Sequence, residues 1–512
     1  MINDLKEGMK MAAKYLMALD QGTTSSRAVL FDLKGGFIAS AGYEFPQIYP
    51  NPGWVEHDPA DILRTQTEAI RAVVKKVGID PQDIAGIGIT NQRETTLVWE
   101  RATGKCLYNA IVWQCRRTAD AVRALCRDIN TVRAIRTKTG LIPDAYFSAS
   151  KIRWLIDKLD IQQRVDNGEI CFGTIDSFLC RQLLAEEPHV TDATNAGRTM
   201  LFNIEKQDWD DDLLRLFNIP RCSMPRVIDN AELIGHLKDE ILGVPVPVCA
   251  MAGDQHAALF GQGCLEKGLV KNTYGTGCFM LMNAGDTFDK PSESLLTTLA
   301  WRLNGKPTYA LEGSVFIGGA VVQWLRDEMK FIDTAAASEE LALSVKDTGG
   351  VTLIPVFNGL GAPYWDMEAR GTLTGITRGT GRAHIVRAAL ESIAFQSYDL
   401  YQAMCTHVKL SEGNRLLADG GACANKFLMQ FQCDILGVPM MVPKTLEITA
   451  LGVAKLAGLG IGIYSKPEDT IFEQADSKVY TPSMDAKERQ AHLARWQKAM
   501  KAARYWSELQ EA

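Results

Sequence analysis

What this 512-residue chain lacks narrows its chemistry before any motif is read. Its 55 Lys and Arg are outnumbered by 61 Asp and Glu, a formal charge of −6. Without clustered cations there is no counterion-release footprint for nucleic acid or for an anionic bilayer. No apolar run reaches the roughly eighteen residues that span a membrane, and the charged opening from Met1 to Glu7 has no secretory apolar segment. The twelve cysteines stand singly, with no C-x-x-C pair and no Cys/His spacing suited to zinc. Reduced thiols and a cytoplasmic setting are therefore expected. The phosphate loop G-x-x-x-x-G-K-[ST] and the H-R-D and D-F-G signatures are also missing, so any nucleotide chemistry here uses another scaffold.

What is present is ordinary globular material, 46% hydrophobic and 23% charged, in a length that exceeds one hydrophobic core. Two or more domains with a ligand cleft between them follow. Tyr15 to Leu19 and Ala28 to Phe31 are short buried-strand patterns joined by a turn of small and hydroxylic residues, Gln21 to Ser26. The same plan recurs where the strand pattern of Gly268 to Thr273 passes through Tyr274-Gly275-Thr276-Gly277 into Cys278 to Met282. Two such hairpins, about 250 residues apart, predict a duplicated architecture. Strand patterns at 84–90, 246–251 and 351–355 alternate with helical ones, where Ile152, Leu155, Ile156 and Leu159 share a face, as do Ile385, Ala389, Ile393 and Leu400. Alternation of this kind predicts α/β domains. The boundary is expected near Gln262, with an N-terminal extension over 1–14, a first domain over 15–262 and a second over 263–512.

A small-residue turn between strands offers backbone N–H donors to polyphosphate oxygens, which makes Thr23, Thr24 and Ser25 candidate phosphate ligands. Arg27, entering the next strand, is a candidate for a charge-assisted bond to phosphate, and Asp20 for a hydrated Mg²⁺. A plain hairpin turn is the competing reading, weakened by the matching turn at Thr276 and Gly277. The strand pattern at 84–90 ends in Asn91-Gln92-Arg93-Glu94, and an Arg beside a Glu can read a vicinal diol or simply form a surface ion pair. Trp113 and Tyr146 are candidates for an apolar wall and a phenolic hydroxyl, or for core positions. Asp254 follows the strand pattern at 246–251 and begins a helical one, so it is either a helix cap or a proton acceptor at a strand's carboxyl end.

The run Asp20 to Arg27 resembles the first phosphate loop of the actin/Hsp70/sugar-kinase superfamily. Gly371 to Glu391 and Tyr146 to Asp157 resemble the two signatures of the FGGY carbohydrate kinases, with Lys158 following the second. The resemblance extends from about Tyr15 to Trp496. It implies two ribonuclease-H-like α/β domains around a catalytic cleft, the first binding substrate and phosphate and the second binding nucleotide. It also implies ATP and Mg²⁺ as cofactors, and a homodimer or homotetramer. By the same likeness Thr276 and Gly277 face phosphate, Gly319 and Gln323 line the nucleotide cleft, and Gly421 with Asn425 holds adenosine. The segments around Arg93, Trp113, Tyr146, Asp254 and Phe279 resemble the glycerol-phosphorylating branch of that family, with Ala145 a departure from its pattern. Arg93, Glu94, Tyr146, Asp254 and Gln255 would then contact substrate hydroxyls, Trp113 and Phe279 would cover its carbons, and Asp254 would be the general base. A family kinase for another polyol or ketose, and an actin- or Hsp70-like ATPase, are the alternatives.

Overall fold

The structure, a computed structural model, describes residues 14–287, 292–357, 359–366, 368–410, 413–444, 447–472 and 477–509. Residues 1–13 of the expected extension lie outside them.

Strand β1 (Tyr15–Gln21) is buried at all but its first residue, as an unbroken apolar run requires. It turns back at residues 22–24 into β2 (Ser25–Asp32), and β3 (Phe37–Glu44) continues the antiparallel meander. Strand β4 (Ile84–Asn91) lies parallel to β1, and β5 (Ala231–His236) pairs antiparallel with β6 (Pro247–Gly253), itself parallel to β4. The sheet order is β5-β6-β4-β1-β2-β3.

The second half contains β7 (Val270–Tyr274), β8 (Cys278–Gly285), β9 (Leu296–Leu303), β10 (Lys306–Val315), β11 (Leu416–Asp419), β12 (Met440–Val442) and β13 (Lys478–Tyr480). Its order is β9-β10-β8-β7-β11-β12-β13. Strand β7 is antiparallel to β8 and parallel to β11, just as β1 is antiparallel to β2 and parallel to β4. The expected duplication is thus present as two α/β halves of matching strand order, with β9 an extra edge strand.

Helix α1 (Pro59–Val77) covers β2 and β3, started by the Asp58 side chain on the Ala60 N–H and stopped by Gly78 in the left-handed region. In α2 (Ser148–Leu159) the expected face buries Ile152, Leu155 and Ile156, while Leu159 is only half-buried. Helix α3 (Asp254–Gly261) follows β6, and α4 (Ala320–Asp327) follows β10. In α5 (Arg382–Cys405) the expected face buries Ala389, Ile393 and Leu400, with Ile385 half-buried. Helices α6 (Lys426–Leu436) and α7 (Ile448–Gly460) complete the set that bears on the site. Among the described residues no helix is long and apolar enough to cross a membrane.

Two features join the halves. Helix α7 comes from the second half of the chain yet packs on β1, β4 and β6 of the first sheet and against α3. The approach to α3 is close enough that a Cβ on Gly452 would stand 1.8 Å from the Ala257 carbonyl oxygen, so only glycine fits there. On the other side the β9–β10 hairpin packs Leu296, Leu299 and Tyr309 into the apolar cluster of an insertion in the first half, which carries α2 and the four-stranded sheet of Glu56–His57, Ala110–Ile111, Thr96–Glu100 and Ile170–Thr174.

Candidate active site

The three parallel strands of the first sheet end level with one another, because Gln21 and Gly253 both pair with Asn91. Three corners therefore meet at the carboxyl edge: the turn at 22–24, the Gln92 to Glu94 bend and the start of α3. This is the edge at which open α/β sheets bind ligands. Gln92 donates from Nε2 to Gln21 Oε1 and to the Gly22 carbonyl, both at 3.1 Å, and ties the first two corners together. Trp113 Nε1 donates to Thr23 Oγ1 at 3.0 Å, and its ring meets Tyr146 edge-on at 5.6 Å between centroids. The Tyr146 loop is fixed by Lys151, whose buried ammonium donates to the Tyr146 carbonyl and whose burial lowers its pKa to about 8. Among the described residues, the amides of Thr23 and Thr24 donate to no backbone carbonyl.

Asp254 is the first residue of α3, and Gly253 occupies the cap position, so helix capping does not explain its side chain. Its Oδ1 accepts the Gln255 N–H at 2.7 Å and stands 3.2 Å from Arg93 Nε. Burial raises its pKa above the ordinary carboxylate range, partly offset by Arg93, and 33% of its side-chain surface stays exposed. A raised pKa makes a better proton acceptor of a carboxylate.

Arg93 and Glu94 are not a surface pair. Both are fully buried and 4.0 Å apart, and each has its closest charged partner elsewhere. Arg93 Nη1 and Nη2 donate to the two oxygens of Glu312, both at 2.8 Å, and Arg198 reaches Glu94 Oε1 at 2.6 Å and Glu312 Oε2 at 3.0 Å. Burial pushes the Glu94 carboxyl up against the pull of Arg198. For Glu312 burial acts in the same sense, but Arg198 and Arg93 together overcome it and hold the carboxyl well below its usual range. Glu94 also adopts φ 60°, a strained backbone for a residue with a side chain.

The second sheet presents one face to this edge. Lys271 on β7 lies opposite Leu281 on β8, Leu281 lies opposite Glu312 on β10, and Thr273 lies opposite Phe279. Directly paired residues project to the same side, so Lys271, Thr273, Phe279 and Glu312 share a face. Lys271 Nζ donates to Gln255 Oε1 and, at 2.9 Å, to Thr273 Oγ1. Phe279 is half-buried on that face.

Beside it lies a cavity of about 430 Å³ whose lining includes Thr276, Gly319, Gln323, Gly421 and Asn425. Five residues chosen from the sequence for a nucleotide thus come together from the β7–β8 turn, α4 and the start of α6. The turn is braced by Gly318 and Ala320, whose N–H groups donate to the Thr276 carbonyl at 2.8 and 3.0 Å. Gly277 lies in the turn but is buried and does not line the cavity. Asn425 caps α6 through Oδ1 on the Leu428 N–H at 2.9 Å and reaches Ser338 Oγ from Nδ2 at 3.3 Å.

Arg27 is engaged with protein carboxylates. It forms an ion pair with Asp20 and, at 2.8 Å, with Glu447, so the candidate phosphate ligand and the candidate Mg²⁺ carboxylate are bonded to each other. Among the described residues no group of three or more His, Cys, Asp or Glu is arranged to hold a metal. His256 is buried, and desolvation drives its pKa well below 6.5. The reading from sequence missed Glu312, Arg198 and Lys271. Glu312 and Lys271 are single charges inside strand patterns, a signal available in Tyr309-Ala310-Leu311-Glu312 and Leu269-Val270-Lys271.

Residues 15–261 match the N-terminal domain, and residues 270–461 the C-terminal domain, of the FGGY family of carbohydrate kinases. Glycerol kinase 2 of Thermotoga maritima is 52% identical over 96% of this chain and 99% of its own length. Glycerol kinase of Caldanaerobacter subterraneus subsp. tengcongensis is 52% identical over 97% of this chain and all of its own. The crystal structure of Plasmodium falciparum glycerol kinase with ADP superposes with a TM-score of 0.88 at 35% identity, covering 96% of this chain and 98% of that one.

Proposed function

Because the chain belongs to the FGGY family of carbohydrate kinases, we propose that it transfers the γ-phosphoryl group of ATP to a terminal hydroxyl of glycerol, giving sn-glycerol 3-phosphate and ADP. The relatives named glycerol kinase, alike over nearly their whole lengths, support glycerol over the family's other substrates. The observation that carries the reading is Asp254, a partly exposed carboxylate just past the end of β6, 3.2 Å from Arg93 at the carboxyl edge of the first sheet.

In this reading Asp254 orients the attacking hydroxyl and accepts its proton. Phosphoryl transfer has a loose transition state, so the hydroxyl becomes acidic late and the base is needed chiefly for aim. Arg93 donates to a substrate oxygen with the N–H groups that Glu312 and Asp254 leave free. Glu94, Tyr146 and Gln255 take the other hydroxyls, and Trp113 and Phe279 cover the carbons. Thr23 and Thr24 offer their amides to the transferred phosphate from one side, and Thr276 offers its own from the other. ATP occupies the cavity, with Gly319 and Gln323 along it and Gly421 and Asn425 at the base.

Magnesium fits a site of this kind, because the ion keeps most of its waters and takes one or two carboxylates beside the substrate phosphates. Asp20, whose carboxylate Arg27 steadies, is the residue that would hold it, and it would neutralise charge on the phosphates.

The test is ADP release by the purified chain with glycerol, dihydroxyacetone, xylulose and ribulose in turn. Fastest turnover on glycerol is expected. Turnover on a ketopentose with none on glycerol would overturn the choice of substrate.

A further inference from the structure

Five charged side chains form one continuous chain of contacts: Glu94, Arg198, Glu312, Arg93, Asp254. The links are 2.6 Å, 3.0 Å, a double contact at 2.8 Å, and 3.2 Å. Four of the five side chains are 0–2% exposed, and Asp254, at 33%, is the most open of the five. The centre of the chain, Glu312, is the single member from the second half of the sequence.

We propose that Glu312 is a positioning residue for the phosphoryl transfer: its two-point grip on Arg93 presents that guanidinium edge-on to Asp254 and leaves the Asp254 carboxylate free to take the proton. This rests on the proposed function above. A guanidinium and a carboxylate prefer to meet through two parallel N–H bonds. Left to itself, Arg93 would turn its fork onto Asp254, the nearest other acid, and occupy the oxygens the hydroxyl needs. Glu312 prevents this by claiming Nη1 and Nη2, so Asp254 meets only Nε. With water excluded from the contact, nothing competes for those two bonds.

The position of Glu312 is itself fixed to the first half. The β9–β10 hairpin is bolted there by Arg302 on Asp229 at 2.6 Å, by Asn230 N–H on the Arg302 carbonyl at 2.9 Å, and by Tyr309 hydroxyl on the Ile204 carbonyl at 3.0 Å. Thr297 N–H donates to the Gly140 carbonyl at 3.0 Å on the neighbouring strand. The β9–β10 hairpin that carries Glu312 is thus tied to the first half by contacts that include none of the cavity's lining residues.

Two variants of the full chain test this. Glu312→Gln keeps the shape but sets an amide N–H₂ against a guanidinium, and Glu312→Asp keeps the charge but retracts it by one methylene. Glu312→Gln should lower kcat about 10²-fold, the usual scale for a misaligned reacting group. It should also raise KM for glycerol while leaving ADP affinity by calorimetry within about twofold. Glu312→Asp should recover a measurable part of kcat and serves as the folded comparison if the Gln variant does not accumulate. A purely structural role predicts the opposite pattern, with thermal stability and the ADP-binding fraction falling together and kcat per ADP-binding site unchanged. That pattern in either variant overturns the proposal alone. A wild-type chain with no glycerol-dependent ADP release overturns the proposed function and this inference with it.

Discussion

The two ligand regions are built by opposite means. On the substrate edge, side chains do the holding: Arg93, Arg198, Glu94 and Glu312 are buried and interlocked, and Trp113, Thr23, Gln92 and Lys151 are all tied by hydrogen bonds. The cavity proposed for the nucleotide is lined largely by small residues, with glycines at 275, 319 and 421 and with charge confined to Arg326 and Glu339. A small polyol has only hydroxyls to be recognised by, and these need charged donors and acceptors set in advance. A nucleotide brings its own charge and a large flat ring, so it needs space, shape and amides. Substitutions should therefore separate cleanly, with side-chain changes on the first edge moving turnover and glycerol KM, and backbone-crowding changes in the second moving ATP KM.

The largest break in that comparison is Asp254→Asn. It keeps the shape of the side chain and its bond from the Gln255 N–H but removes the proton acceptor, and a fall of about 10²–10⁴-fold in kcat is expected. ADP binding by calorimetry should be unchanged, since the cavity is built by other residues. Near-normal turnover would remove Asp254 from the role of base.

Next in size is Gly277→Ala. A Cβ there would stand 2.6 Å from the Val315 carbonyl oxygen, a backbone atom that cannot yield without shifting β10 or the turn. The turn should move, raising KM for ATP roughly tenfold, about 1.4 kcal/mol, while KM for glycerol holds steady. A rise in glycerol KM alone would mean that the turn serves the substrate edge.

Trp113→Phe should be milder and fall on the other side of the divide. It preserves the ring against Tyr146 but loses the bond to Thr23, about 1 kcal/mol or some fivefold in glycerol KM. Steady-state kinetics with each substrate varied in turn would show it, and an effect confined to ATP would contradict the assignment of Trp113 to the polyol.

How far the sequence alone reveals these regions depends on how local their causes are. The strand pairs β1–β2 and β7–β8 were legible because each is two apolar runs with a small-residue turn between, and their repetition implied the two halves. The cavity residues came from the family resemblance, since Gly319 and Gln323 carry no local pattern of their own. The charge chain was not legible, because Glu312 lies 219 residues from Arg93 and 114 from Arg198, and pairing across that distance leaves no local pattern. Nor was the crossing of α7 onto the first sheet and α3, where Gly88 on β4 admits the Val453 backbone and Gly452 admits Ala257, close approaches that separate strand and helix patterns do not announce. For Arg27, whose place at the entry to β2 suggested phosphate, the fold adds two carboxylate neighbours, of which Glu447 lies 420 residues away.

The smallest predicted effect sharpens the same contrast through stability. The buried charges Glu94, Arg198, Glu312 and Arg93 have charged partners, whereas Asp399 on α5 is held by neutral donors, Trp496 Nε1 and, at 2.9 Å, the Tyr364 hydroxyl. Burial accordingly pushes its pKa up to about 6. A carboxyl whose pKa is higher folded than unfolded favours the native state when protonated, so its contribution is complete below the unfolded pKa near 3.9 and is lost as pH rises through about 6. Asn at 399 keeps an acceptor for both donors and carries no charge at any pH. Asp399→Asn should therefore add about 1 kcal/mol at pH 8, allowing for the partial exposure of the site, and little at pH 4. Thermal melts of both proteins across that range give the answer. A loss of stability at pH 8 would show that the aspartate is paired with a cation after all, as Glu94 and Glu312 are.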